Sequence, residues 1–279
     1  MVKLALGFET QVICLNGHEF SSIKPLFDFA DTNISMSMNP LEYHFDSRPS
    51  ETISSYSQQL KNFFIKGTLI VLLPADTKKH EVQSTMQMLR ATVEFESDTK
   101  FQIYPYGNAS FLLALSHIER ATKQNDCWIL AIQPATNQAP TKLNNGALIL
   151  ARAFPCDTGL ECLPARVDLA NSTNQSAIDK VVSQLSFRSS SLFTSLSLSL
   201  DANEPLWLNS IKYLAPWITE ATNYEFLDAK LSSLGVCGGL LKAINAFEKQ
   251  IRQPEKGFHQ LQLDIEPRGY VVGTTYTWV

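Results

Sequence analysis

Apolar and polar residues alternate over positions 2–13, which predicts an opening strand, because successive side chains of a strand point to opposite faces. Residues 20–60 are rich in Ser, Asn, Asp and Pro and read as mostly irregular. The run Gly67-Thr68-Leu69-Ile70-Val71-Leu72-Leu73 is nearly continuous in apolar character and stops at Pro74, the pattern of a strand buried on both faces. Residues 78–94 then switch to helical spacing, with Val82, Met86, Leu89 and Val93 on one face. A strand over Phe101–Tyr106, Gly107, a helix over 109–123 and strands over 126–132 and 146–154 follow. The first half therefore reads βαβαββ, an α/β layer pattern.

The second half repeats the theme. A helix over 175–187 leads to Leu192–Leu200, whose alternating Ser residues predict a strand with one buried face. A helix over 204–217 comes next, then a long helix that opens in the segment Leu231–Gly239 and runs to Gln253. Strands over 258–265 and 269–277 flank the turn Glu266-Pro267-Arg268-Gly269. Two helix starts match each other: Gly107-Asn108-Ala109-Ser110-Phe111-Leu112-Leu113 and Gly235-Val236-Cys237-Gly238-Gly239-Leu240-Leu241. Small residues at a helix start allow close backbone packing. The repeat therefore predicts a single domain over 1–279, with halves of about 1–155 and 156–279 and two central helices packed together.

Composition narrows the partners. Only 18% of the 279 residues are charged, against about 25% in an average soluble domain, so much of the surface is expected to be core or interface. The net charge of −4 supplies no basic field for nucleic acid. No apolar run reaches the ~18 residues of a membrane span. The opening segment is interrupted by Glu9 and does not read as a signal peptide, so a cytoplasmic location is expected, with the five cysteines as free thiols. Cys156 and Cys162 have no nearby His and no CxxC pair exists, so no metal site is expected. The phosphate loop, the dinucleotide fingerprint and the Gly-x-Ser-x-Gly elbow are all missing, and no cofactor is expected. Gly235-x-x-Gly238-Gly239 reads as a packing surface in preference to an anion site, since no Lys or Arg stands on its near side.

The order of these segments resembles the thiolase-fold ketoacyl synthases. The resemblance rests on Tyr104-Pro105-Tyr106-Gly107-Asn108-Ala109-Ser110, on the strand 126–132, on Asn145-Gly146-Ala147, on Leu231–Val236 and on the Gly269–Gly273 region. It implies a layered α/β/α/β/α sandwich built from two duplicated halves, here shortened. It places Asn108 at the family's nucleophile position and Val236 at one of its His positions. Leu231 falls where a Lys is usual, with Lys230 adjacent, and Glu220-Ala221-Thr222 supply no His for the other His position. An amide cannot form the acyl thioester that a thiolate forms.

A chain of this kind resembles the chain-length factor of type II polyketide systems, such as those that make aryl polyenes. Such a factor is a silent copy that completes a dimer with an active ketosynthase and helps shape the tunnel for the acyl chain carried by acyl carrier protein. Phe101, Ile103, Tyr104, Tyr106 and Phe111 would then form the interface. Two other readings stay open. One is a small acyl-transfer enzyme using Cys237, which lies near a helix start; the other is a homodimeric acyl-binding protein. His117 reads as a helix-surface residue, and His259 as the exposed end of an alternating strand.

Overall fold

The computed structural model describes residues 5–33, 47–135, 146–169, 174–186, 192–198, 211–225, 227, 231, 234–266 and 270–279. The opening strand, β1 (Ala5–Leu15), shows how the fold uses the alternating pattern. Leu6 and Phe8 line the same core as Ile13 and Leu15. Strict alternation cannot put even and odd positions on one face. A register shift between Thr10 and Val12 absorbs the extra residue as a β-bulge.

After β1 come β2 (His18–Phe20), α1 (Ile23–Asn33), α2 (Pro49–Ser55), α3 (Ser57–Leu60), β3 (Phe64–Ile65), β4 (Thr68–Leu72) and α4 (Lys79–Thr92). They are followed by β5 (Glu94–Phe95), β6 (Lys100–Tyr104), a 3-10 turn (Gly107–Ala109), α5 (Ser110–Thr122), β7 (Cys127–Gln133) and β8 (Ala147–Cys156). The chain continues through β9 (Leu160–Cys162), β10 (Arg166–Leu169), α6 (Asn174–Ser186), β11 (Ser195–Leu198) and β12 (Asn223–Glu225). It closes with α7 (Val236–Arg252), β13 (His259–Ile265) and β14 (Tyr270–Trp278).

Three helices stand in the stretch whose composition suggests irregular chain. Burial of Ile23, Leu26, Ile53 and Leu60 holds them, and Pro49 sits in the first turn of α2, where its missing N–H costs nothing. Of the expected 204–217 helix, residues 204–210 lie outside the described residues; 211–214 are helical and a 3-10 turn covers Ala215–Trp217.

The strands pair as two copies of one pattern. In the first, β6, β4 and β7 run parallel, β8 lies antiparallel beside β7, and β1 antiparallel beside β8. In the second, β12, β11 and β13 run parallel, β14 lies antiparallel beside β13, and β10 antiparallel beside β14. β9 bridges β1 and β14 and joins the two into one 12-stranded sheet.

Three cores give the layers. α2 and α4 cover the outer face of the first set, over Leu69, Val71 and Leu130. α6 covers the outer face of the second, over Leu261, Leu263 and Val271. α5 and α7 lie between, packed on each other and sharing one core with Ile70, Ile129 and Ile149. The order is α/β/α/β/α, and the two helices that open with the repeated small-residue motif are the central pair.

Of the strand expected over Leu192–Leu200, residues 199–200 lie outside the described residues; β11 covers Ser195–Leu198, and both its faces are buried, Ser195 and Ser197 included. α7 covers the Ser face, so alternation there marks a polar layer inside the protein and not a solvent face. His259 is likewise buried, 4.7 Å from the Phe193 ring with Nδ1 3.2 Å from the Leu192 carbonyl, because β13 lies inside the sheet between β11 and β14.

Candidate functional site

The two repeated helix starts face each other at the centre of the molecule. The backbone turns sharply at Gly107 (φ +58°) and at Gly235 (φ +51°), a region that favours glycine. The first turn is tied down locally. Gly107 N–H donates to the Leu73 carbonyl at 3.1 Å, and Tyr106 N–H donates to Ser110 Oγ at 2.9 Å. The Ser110 hydroxyl in turn lies 2.9 Å from the Tyr104 carbonyl.

Each turn is also closed from the opposite half. Asn108 N–H donates to Glu266 Oε2 at 2.8 Å, from just past the end of β13. Val236 N–H donates to Gln133 Oε1 at 3.0 Å, from the end of β7. These are matching positions in the two strand patterns, so the caps are reciprocal. Each satisfies an N–H that a helix start leaves free. A Cβ on Gly107 would collide with the Glu266 carboxylate, and one on Gly235 with the Gln133 amide. Neither Glu266 nor Gln133 stands out in the sequence. The only signal is that each ends an apolar strand immediately before a proline.

Asn108 is half-buried, and its side chain is engaged as well: Nδ2 donates to the Ile265 carbonyl at 3.0 Å. Val236 is buried, 1% exposed, and offers no side-chain donor. Cys237 is fully buried, and burial pushes its thiol well above the ordinary range; its Sγ lies 3.8 Å from the Ala147 carbonyl. Its place is that of a small packing residue. His117 is exposed on α5, with Nδ1 in contact with the Tyr104 hydroxyl. Among the described residues, no group of three or more His, Cys, Asp or Glu side chains is placed to hold a metal ion.

The aromatic segment divides. Phe101 and Ile103 are half-buried on β6, which ends the sheet and pairs only with β4 among the described residues. Tyr106 is half-buried and meets Tyr270 edge-on at 5.6 Å. Phe111 is fully enclosed in this chain's own core, 6.2 Å from the Phe8 ring, and Tyr104 is only 9% exposed. The expectation that these two present themselves to a partner is therefore corrected: the helix start turns Phe111 inward against α7.

Beneath the turns lies a second polar cluster. Lys242 Nζ on α7 meets Asp264 Oδ1 on β13 at 2.8 Å, with both side chains fully buried. Gln262 Nε2 donates to the Gly239 carbonyl at 3.0 Å and to Asp264 Oδ2 at 2.7 Å. Gln262 Oε1 accepts from the Tyr276 hydroxyl at 2.8 Å. Burial holds that phenol well above its usual range.

No protein-family model and no curated protein matches the sequence. Solved structures do. OleA of Xanthomonas campestris, bound with cerulenin, matches at TM-score 0.59 and 9% identity, over 98% of this chain and 95% of that one. A Streptomyces albus oxazolomycin ketosynthase domain matches at TM-score 0.58 and 10% identity, over 98% and 94%. A 3-oxoacyl-(acyl-carrier-protein) synthase III matches at TM-score 0.52 and 11% identity, over 98% of each chain. The fold is thus the thiolase-like ketosynthase fold. Among the described residues, no helix is long and apolar enough to cross a membrane.

Proposed function

We propose that this chain is a catalytically silent ketosynthase-like subunit, a chain-length factor, which pairs with an active ketosynthase. In this reading it helps shape the tunnel for an acyl chain delivered by acyl carrier protein, in a type II polyketide pathway such as that of the aryl polyenes. The observation that carries the reading is the state of the turn at Asn108. The nucleophile position holds an amide, and its backbone N–H and side chain are both spent on Glu266 and Ile265. A nucleophile needs a thiol or hydroxyl with a base in reach, and Val236 stands across the junction. Burial and a raised pKa at Cys237 weigh against the acyl-transfer alternative.

The test is intact-mass measurement of the chain, alone and with a ketosynthase, after incubation with an acyl-carrier thioester. No covalent acyl adduct is expected on this chain. A stable adduct, at Cys237 or elsewhere, overturns the reading.

A further inference from the structure

β11 and β13 turn one face toward α7, and that face is polar. Ser195 stands opposite Gln260 in register, and Ser197 opposite Gln262. All four side chains are at most 3% exposed. The two glutamines differ sharply. Gln262 uses its whole amide on Gly239, Asp264 and Tyr276. Among the described residues, Gln260 has no hydrogen-bond partner at either Nε2 or Oε1, and the hydroxyls of Ser195 and Ser197 have none either.

A buried polar atom without a partner bears the full cost of leaving water. Here four such atoms belong to three neighbouring residues on one face of one strand pair, with cross-strand side chains about 5 Å apart. The four atoms comprise hydroxyls, an amide donor and an amide carbonyl, so whatever meets them must both donate and accept. The charges of Lys242 and Asp264, further along the same face, pair with each other. Ser197 is also next in register to Glu225 on β12, whose carboxylate meets Lys249 of α7 where that lysine is half exposed. The polar seam therefore runs from the surface inward.

We infer that the seam between α7 and the β11–β13 face is a hydration site, with ordered water bridging the Gln260 amide to the hydroxyls of Ser195 and Ser197. Water is the small neutral group with two donors and two acceptors, and buried water has this set of partners. The inference is independent of the proposed function.

Two measurements test it. A crystal structure of the full chain, at a resolution that shows ordered water, is expected to place water between Gln260 and at least one of the two serines. Direct Gln260–Ser bonds, or an organic molecule in that position, overturn the inference. Thermal unfolding supplies the second. Gln260→Leu strands the water and the two hydroxyls, so its midpoint should fall by about 2 °C or more. The triple variant Gln260→Leu/Ser195→Ala/Ser197→Ala removes the polar groups that lack partners and should recover part of that loss. A rise in midpoint for Gln260→Leu, or a triple variant no better than the single one, means a dry seam and overturns the inference. If Gln260→Leu does not fold, the crystal structure decides.

Discussion

At the residue scale, Gly107 and Gly235 are two of the positive-φ glycines at which a side chain would be strained. Gly107 combines φ +58° with a carboxylate where its Cβ would go. Gly107→Ala should lose about 1–3 kcal/mol of stability, from the strained backbone and the displaced Glu266; denaturant unfolding measures it. Lys242 is the costliest single charge. Removing it leaves the buried Asp264 carboxylate without its cation, so Lys242→Met should cost about 3–5 kcal/mol, with much of the loss recovered in Lys242→Met/Asp264→Leu. Asp126 carries an acid-sensitive contribution. Partial burial raises its pKa, but hydrogen bonds from Arg152 and Lys66 outweigh that and hold it below the ordinary value of 3.8. A depressed carboxylate pKa stabilises the fold above the unfolded value and loses that effect as pH falls through the folded one. Asp126→Asn should therefore be less stable than wild type at neutral pH, with the gap closing below pH 3.8 in urea melts followed across pH.

At the element scale, the central helices are held by reciprocal exchange. The end of β7 caps α7, and the segment after β13 caps the start that leads into α5. Each half supplies the acceptor that the other half's helix start lacks, which ties the halves together through four elements. β6 is the exposed counterpart of this interior. As an edge strand carrying half-buried Phe101 and Ile103, it presents unpaired backbone groups that a second strand could satisfy. Under the proposed function, Ile103→Asp should abolish copurification with the ketosynthase while the variant still folds, since Ile103 is not enclosed by its own chain. Copurification and chain extension equal to wild type would place the interface elsewhere.

At the scale of the whole molecule, two matching strand patterns enclose one central helix pair, and the junction of the two helix starts is where chemistry would be expected. In this chain the junction is filled by its own side chains, Asn108, Glu266 and Gln133, with Val236 at its edge. A low charged fraction of 18% accompanies this closed interior. Under the proposed function, the chain contributes shape and an interface, and its partner contributes the reaction.

The sequence by itself determined the α/β alternation of elements, because continuous apolar runs such as Leu69–Leu73 and helical spacing such as that of Val82, Met86 and Leu89 report local periodicity. It also marked the paired helix starts, because glycine and small residues there serve a backbone need that is local. Other features depended on contacts between distant segments and left no local trace. The helices within 20–60 form because Ile23, Leu26, Ile53 and Leu60 find a core far along the chain. The phase change in β1 needs the bulge against β8. Phe111 reads as an interface residue and His259 as the exposed end of a strand, yet both lie inside this chain, since burial is decided by which elements pack over a residue. The caps from Gln133 and Glu266 span 103 and 158 residues. Only the tertiary structure could bring such pairs together, because hydrogen bonding between a backbone N–H and a side chain that far apart follows from the fold and not from spacing.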